Sequence, residues 1–205
     1  MGNRIRRHSD PFQCRIALTV DDWLEAYSAH GGSEIWLDLG CGKGEMLAAL
    51  AELHPDIFFM GIDVRKKIAE RFFPGYGHLP NLLLLHGNVN ASIPSMMDRW
   101  KTQRVFIHFP DPYDHKRRYT KRQMVDERLV EGLCDILAQG GVTSIRTDNR
   151  RLFEHMDNLF SLRMEPVPPS AETPLEQAVL TEWENECVKK SIPVYSREYR
   201  LELGS

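Results

Sequence analysis

The stretch EIWLDLGCGKGEM, residues 34–46, decides the fold. It begins as an apolar run typical of a buried strand and leads into the Ala/Leu-rich stretch GEMLAALAELH, residues 44–54, which predicts a helix. Between the two, Gly40, Gly42 and Gly44 let the backbone turn tightly and approach a ligand with no Cβ in the way. The stretch therefore predicts a strand, a glycine turn and a helix, with a candidate ligand site at the turn.

The same alternation continues along the chain. Further strands are predicted at IFFMGID (57–63), NLLLLHG (81–87), RVFIHF (104–109) and VTSIRT (142–147). Helices are predicted from about Val64, near 92–100, over 120–137 with its end at Gly140-Gly141, and over 149–160. This order predicts an α/β fold whose parallel sheet is covered by helices on both faces. Such a sheet binds its ligand at the carboxyl ends of the strands.

The end of the chain departs from this alternation. EPVPPSAETPLE, residues 165–176, is rich in proline and predicts a loop. A short helix near 181–190 and a last strand at 193–203 are expected to follow. We expect residues 165–205 to be an elaboration of the same domain.

Length and composition set the class of protein. A chain of 205 residues, 42% of them hydrophobic, can bury one sizeable core, so we expect a single domain over residues 1–205 with a basic arm at 1–12. The four cysteines are far apart, with neither a C-x-x-C pair nor zinc-like spacing to histidine. No run approaches the roughly 18 apolar residues that span a bilayer. We therefore expect a soluble, reduced, cytoplasmic protein that binds no membrane and no metal.

Polar side chains lie at or just after the ends of the first three predicted strands. Asp38 lies two residues before the first glycine, where an acid would repel a diphosphate but suit the ammonium group of an amino acid. Asp63 ends the second strand, where a carboxylate can bind both hydroxyls of a ribose. Asn88 could hydrogen-bond an adenine edge, with Val89 packing nearby. These features, with a G-x-G-x-G spacing unlike the dinucleotide fingerprint G-x-G-x-x-G, favour S-adenosylmethionine as the cofactor. The alternative is a tight turn with acids that merely cap strand ends.

One carboxylate stands out after the fourth strand. Asp111 lies between Pro110 and Pro112, and a basic segment at residues 115–122 follows it. The prolines restrict the backbone around the acid. The cations suit RNA phosphates, although a charge run is more often a solvated surface. Asp111 itself has an alternative as a turn residue.

Six segments of the chain have the character of motifs. They are RRHSDPF (6–12), DLGCGKGEM (38–46), GIDVR (61–65), FPDPYDHKRRYTKR (109–122), TDNRRLFEHM (147–156) and LTEWENECVKKSIPVYSREYR (180–200). In this order they resemble one family, the tRNA (guanine-N7)-methyltransferases. The resemblance covers nearly the whole chain, and the last three segments are the specific ones. Tyr113 and His115 depart from the Trp and Lys that are usual in this family.

The resemblance implies a Rossmann-like class I methyltransferase fold with a mostly parallel seven-stranded sheet. It places Asp38, Gly40, Asp63, Asn88 and Asp111 at the cofactor, and it assigns the catalytic role to Asp111. Gly42 of the glycine turn and Val89 beside Asn88 complete the predicted cofactor site. By the resemblance, guanine and its surroundings would be bound by His115, Asp148, Thr181, Glu182, Trp183 and Glu184, and Lys116 and Arg117 of the basic segment are added as predicted substrate contacts.

Two of the substrate positions have ordinary structural alternatives. Asp148 precedes a predicted helix and could be its N-cap. Thr181 and Glu184 have the T-x-x-E spacing of a capping box, and spacing alone favours the cap.

The function implied is transfer of a methyl group from S-adenosylmethionine to N7 of a guanine in the variable loop of tRNA, with S-adenosylhomocysteine as product. The expected partner is tRNA, and the chain is expected to be a monomer or homodimer, with an obligate protein partner left open. The alternatives are a methyltransferase acting on another RNA or a small molecule, and a non-catalytic RNA-binding module.

Overall fold

The structure, a computed structural model, describes residues 14–31, 34–96, 101–112, 123–168 and 179–202. Its strands form one seven-stranded sheet with the order β3-β2-β1-β4-β5-β7-β6. The strands are β1 (Glu34–Leu39), β2 (Ile57–Asp63), β3 (Leu82–His86), β4 (Thr102–His108), β5 (Leu137–Thr147), β6 (Glu165–Val167) and β7 (Tyr195–Arg200). Strands β1 to β5 are parallel, and β7 runs antiparallel to both β5 and β6. The predicted mostly parallel sheet of an α/β fold is confirmed.

Helices connect the strands and cover both faces of the sheet. They are α1 (Leu24–His30), α2 (Glu45–Leu53), α3 (Lys66–Phe72), α4 (Val89–Met96), α5 (Glu127–Ile136), α6 (Arg150–Ser161) and α7 (Glu182–Lys189), with 3-10 turns at Val20–Asp22 and Phe73–Tyr76. Alternate residues of β4 belong to separate cores. Val105 and Ile107 pack with α4, α5 and α6, whereas Phe106 packs with α2. The sheet therefore separates two apolar layers, as expected for a parallel sheet with both faces covered.

The prediction of a helix over 120–137 with its end at Gly140-Gly141 was wrong in its beginning, since the described residues 123–126 are not helical, and in the role given to the glycines. Helix α5 begins after Asp126, whose side chain accepts a hydrogen bond from Leu129 N, and it stops at Ile136. Both glycines lie inside β5, at an irregularity in its pairing with β4. Gly140 has φ +74°, and a Cβ on Gly141 would lie 2.8 Å from a backbone oxygen. The glycines serve an irregular strand start rather than a helix end.

The remaining differences concern short elements. Residues 165–167, expected in a loop, form β6 at the edge of the sheet, a position in which strands tolerate a proline such as Pro166. Helix α4 begins at Val89 rather than near residue 92. The sequence pattern did not indicate α1, although Trp23 beside it is almost completely buried.

Candidate active site

Two acidic side chains lie at the carboxyl ends of adjacent central strands. Asp38 is next to last in β1, opposite Gly61 of β2, and Asp63 is the last residue of β2. Both are buried, with 5% and 3% of their surface exposed. Burial, and then the charge of Asp63, raises the pKa of Asp38 to about 8. Nowhere in the described part of the chain does a hydrogen bond to the Asp38 side chain appear. This leaves a buried acid that a ligand cation would complement.

The glycine turn closes over the same two strands. Gly40 N and Cys41 N both donate to Ile62 O, at 2.8 and 3.1 Å. Gly42 N donates to Asp63 Oδ2 at 2.9 Å. Gly44 has φ +85°, which favours glycine, and a Cβ there would lie 2.3 Å from Leu84 Cδ1, so the Leu84 side chain would have to shift. The glycine turn and Asp63 of β2 are thus joined by hydrogen bonds.

Arg65, which sequence reasoning did not single out, completes this unit. Its Nε donates to Asp63 Oδ1 at 2.9 Å, and one terminal guanidinium nitrogen donates to Oδ2 at 2.8 Å. Its backbone N donates to Oδ1 at 2.8 Å. The hydrogen bond to Asp63, and then the charges of Asp63 and Asp111, raise the pKa of Arg65. Arg65 therefore lies within the electrostatic reach of both carboxylates.

Asn88 connects helix α4 to the N-terminal segment. Its Oδ1 accepts from Ala91 N at 3.3 Å, and its Nδ2 donates to Cys14 O at 3.1 Å. Val89 is buried in the core beside it. The structure thus gives Asn88 a helix-capping role and a link to residue 14. Contact of Asn88 and Val89 with an adenine stays a prediction.

Asp111 follows a backbone turn of unusual conformation at the end of β4. Phe109 is buried and has φ +52°, a value rare for a residue other than glycine. Its N donates to Arg146 O at 2.7 Å. Three residues after Phe109, Pro112 O accepts from Gln123 Nε2 at 3.0 Å. Strained backbone of this kind is common at functional sites. It places the half-buried Asp111 just beyond the strand.

The two downstream motifs meet at the same edge of the sheet. Trp183 Nε1 donates to Asp148 Oδ2 at 3.1 Å, across 35 residues of sequence. Glu184, which is buried, accepts two hydrogen bonds from Arg146, at 3.1 and 3.2 Å. The first turn of α7 is therefore attached to the residues at the end of β5.

A third contact joins α7 to the glycine turn. Lys43 Nζ lies 2.8 Å from Glu182 Oε1, a pair separated by 139 residues in sequence. Thr181 is the N-cap of α7, because its hydroxyl accepts from Glu184 N at 3.1 Å. The cap that spacing favoured at Thr181 is confirmed. The alternative for Asp148 is wrong: Asn149 caps α6 through Leu152 N.

Among the residues missed, His108 and Arg146 are buried polar groups in β4 and β5. His108 Nε2 lies 3.2 Å from Ser144 Oγ, and its Nδ1 has no hydrogen-bond partner among the described residues. Burial, followed by the charges of Arg146 and Arg104, lowers the pKa of His108 well below its ordinary value. An ionisable side chain next to an apolar residue near the end of a predicted strand was the available signal for both.

Several predicted positions lie outside the described residues: Tyr113, His115, Lys116, Arg117 and the basic arm at 1–12. Within the described ranges, no helix is long and apolar enough to cross a membrane. The same ranges contain no group of three or more His, Cys, Asp or Glu side chains placed to hold a metal ion.

Solved structures with the same fold are methyltransferases. The 16S rRNA methyltransferase KamB superposes with a TM-score of 0.61 at 14% identity, covering 97% of this chain and 100% of its own. The aminoglycoside resistance methyltransferase NpmB1 gives a TM-score of 0.59 at 18% identity, covering 91% and 95%. The fold is therefore the Rossmann-like fold of the class I methyltransferases.

Sequence relatives narrow the class to one family. A family model described as "Putative methyltransferase" matches residues 33–197. The tRNA (guanine-N(7)-)-methyltransferase of Synechococcus sp. (strain JA-3-3Ab) is 30% identical, over 95% of this chain and 84% of its own. That of Synechocystis sp. (strain ATCC 27184 / PCC 6803 / Kazusa) is 31% identical, over 94% of each chain. The chain belongs to the tRNA (guanine-N7)-methyltransferase family, as its sequence motifs indicate.

Proposed function

We propose that this protein transfers a methyl group from S-adenosylmethionine to N7 of a guanine in the variable loop of tRNA. The observation that carries the proposal is the meeting of two sets of residues at one edge of the sheet. The buried acids and the glycine turn belong to the first set, and the Asp148–Trp183 pair with Glu184 belongs to the second. Lys43 and Glu182 join the sets directly. A methyl donor and its acceptor need such adjoining sites.

The residues at the glycine turn fit an amino-acid nucleoside better than a phosphate ligand. Asp38 is a buried carboxylate to which the described residues donate no hydrogen bond, so the ammonium group of the cofactor would complement it. Asp63 would bind the ribose hydroxyls, and a carboxylate at this position disfavours a diphosphate by repulsion. When bound, S-adenosylmethionine supplies an electrophilic methyl group on a sulfonium.

The acceptor atom needs little chemical activation. N7 of guanine has an in-plane lone pair and no proton, so no general base is required. The task of the protein is to hold the purine in line with the methyl group, and positioning of two reactants lowers the barrier by up to about 7–11 kcal/mol. The Asp148–Trp183 pair offers a carboxylate and an indole ring for this task, and Thr181 precedes Trp183 by two residues, at the N-cap of α7.

Asp111 is the proposed catalytic residue. Methylation leaves the purine cationic, and a carboxylate near the ring would stabilise that developing charge. Asp111 could also accept a hydrogen bond from the N1 or 2-amino edge, which distinguishes guanine from adenine. Its position just beyond β4, between the two sets of residues, supports both roles.

The basic segment after Asp111 is the proposed contact for tRNA phosphates. His115, Lys116 and Arg117 are assigned to it from the sequence alone. Phosphate contacts contribute affinity that does not depend on base sequence, so binding should weaken steeply with added salt. A guanine stacked in the folded tRNA must be exposed before it reacts, and Trp183 could stack on it.

The test uses an unmodified tRNA transcript and methyl-labelled cofactor. Treatment with borohydride and then aniline cleaves the strand at N7-methylguanine, so a single cut in the variable loop would establish reaction, atom and site together. Label without that cut would reject the N7 assignment. Absence of label, with tRNA still bound and no cofactor bound, would favour the non-catalytic RNA-binding module.

Two variants separate the role of Asp111 from general effects of charge. Asp111→Asn should lower turnover by about 10²–10³-fold, the usual loss when one electrostatic stabiliser of a transition state is removed. Asp135→Asn removes an exposed acid from the last turn of α5 and should leave turnover unchanged. Full turnover by Asp111→Asn would reject its catalytic role.

A further inference from the structure

Arg65 occupies the carboxylate to which the ribose is proposed to bind. A carboxylate offers about four lone-pair positions to hydrogen-bond donors. Asp63 already accepts four hydrogen bonds: one from Gly42 N, one from Arg65 N, and two from the Arg65 guanidinium. No acceptor position is left for the two hydroxyls of a ribose.

The guanidinium also lies in the space next to the glycine turn. A Cβ built on Gly42 would be 3.4 Å from a terminal nitrogen of Arg65. Glycine turns of this kind lack side chains so that a ligand can approach the backbone. In this structure the side chain of Arg65 occupies the space through which a ligand would approach the backbone at Gly42.

Two of the four hydrogen bonds belong to the fold and two can be exchanged. Gly42 N and Arg65 N are backbone groups of the turn and of the start of α3, so they stay in place as long as these elements are folded. The guanidinium belongs to a side chain that is 42% exposed, so it can rotate into solvent. The two positions it leaves are the number that a ribose diol needs.

We propose that Arg65 is a positioning residue that closes the ribose-binding carboxylate in the free protein and must leave Asp63 before the cofactor binds. The proposal rests on the proposed function, because it assumes a ribose ligand at Asp63. Arg65 neutralises a buried acid in the free protein, and its release converts Asp63 into an acceptor for the diol. Asp111 is a second carboxylate whose charge acts on Arg65, so the released side chain stays in a favourable field.

The expected effect on affinity follows from the competition. If the open form of Asp63 is a minor fraction of the molecules, the apparent Kd is the intrinsic Kd divided by that fraction. Charge-assisted hydrogen bonds hold the closed form, which makes an open fraction of about one-tenth or less reasonable. Removal of the guanidinium should therefore tighten ribonucleoside binding by about ten-fold or more.

The experiment measures the Kd of S-adenosylhomocysteine by calorimetry for the full chain and two variants. Arg65→Gln removes the guanidinium. Lys67→Gln is the matched control, because it removes one positive charge from an exposed position of the same helix without touching Asp63. The proposal expects at least about ten-fold tighter binding for the first variant and an unchanged Kd for the second.

The possible failures are distinguishable. Equal or weaker binding by Arg65→Gln, with normal binding by the wild type, would overturn the role of Arg65 and leave the proposed function intact. Absence of binding by the wild type would overturn the cofactor assignment and this proposal with it. Equal tightening in Lys67→Gln would show a general charge effect and reject the proposal.

A second measurement covers the case in which Arg65→Gln does not fold. In the isotope-labelled wild type, the assigned Nε–H resonance of Arg65 should change its shift and exchange faster with water when S-adenosylhomocysteine is added. An unchanged resonance at saturating ligand would overturn the proposal.

Discussion

Asp38 should lose a proton when the cofactor binds. Its pKa of about 8 in the free protein means that about nine-tenths of the molecules carry the proton at pH 7. The ammonium group of the cofactor needs the ionised carboxylate, because a protonated acid offers no charge to pair with. Binding at pH 7 should therefore release about 0.9 protons per site.

The same linkage sets the pH dependence of affinity. Between about pH 5 and pH 7 the apparent Kd should fall about ten-fold for each unit of pH, since one proton must leave for each ligand bound. Within this window the α-amino group of the ligand stays largely protonated, because its ordinary pKa is about 7.7–8.0. Calorimetry of S-adenosylhomocysteine in buffers with different ionisation enthalpies measures the released protons directly.

A ligand without the amino-acid part is the control. Methylthioadenosine has the ribose and adenine but no ammonium group, so its binding should release no proton and depend little on pH. If S-adenosylhomocysteine also bound without proton release and with a constant Kd over this window, the assignment of Asp38 to the ammonium group would be refuted.

The raised pKa of Asp38 also makes the stability of the fold depend on pH, in the direction opposite to the affinity. A carboxyl group whose folded-state pKa is raised stabilises the fold below its unfolded pKa of about 3.9, and this contribution is lost as the pH rises through about 8. Asp38→Asn should remove that loss, so its unfolding free energy in urea should change less than that of the wild type between about pH 6 and pH 9.

Three further predictions concern residues around the site. Gly44→Ala should destabilise the fold by about 1–3 kcal/mol or more in thermal unfolding, because of the φ of +85° and the contact with Leu84. The control is Gly75→Ala, where a Cβ would meet nothing within 4 Å, and it should cost much less. His108 has a lowered pKa, so histidine binds a proton more readily in the unfolded chain. The unfolding free energy should therefore decrease as the pH falls from about 6.5. His108→Gln should reduce that decrease, and an identical pH profile would contradict the assignment. Trp183→Phe keeps a ring but loses the hydrogen bond to Asp148, so kcat/KM for tRNA should drop several-fold while the Kd of S-adenosylhomocysteine stays the same. A change in that Kd alone would contradict a substrate role.

The parts of the site that could be predicted from the sequence are residues at the carboxyl end of a recognisable strand. Asp38 and Asp63 could be placed side by side because parallel strands bring their carboxyl ends to one edge. Contacts between distant segments gave no comparable local signal. The Asp148–Trp183 hydrogen bond spans 35 residues, and the Lys43–Glu182 pair spans 139. The resemblance named Asp148, Glu182 and Trp183, but it did not indicate which residues pair with which.

Local competition between signals explains the errors. Gly140-Gly141 has the composition of a helix end, and only the pairing of β5 with β4 shows that the glycines belong to a strand. Asp148 and Asn149 are both good N-caps, and the helix uses the second. Arg65 was overlooked because an arginine after a strand is normally a solvated residue. Its role depends on a turn more than 20 residues earlier.

Buried acids that have a cation as partner can be distinguished from Asp38, the acid at the proposed ligand site. Arg104 is paired with Glu198, and Arg146 is paired with Glu184, so each of these buried acids has its cation within the chain. Asp63 likewise has Arg65, though on a side chain that can leave. Asp38 differs from all three, since no cation pairs with it among the described residues and burial keeps it protonated at neutral pH. Above its unfolded pKa of about 3.9 such an acid progressively lowers the stability of the fold, because burial disfavours its ionised form. We infer that Asp38 is retained for the cation that a ligand brings to it.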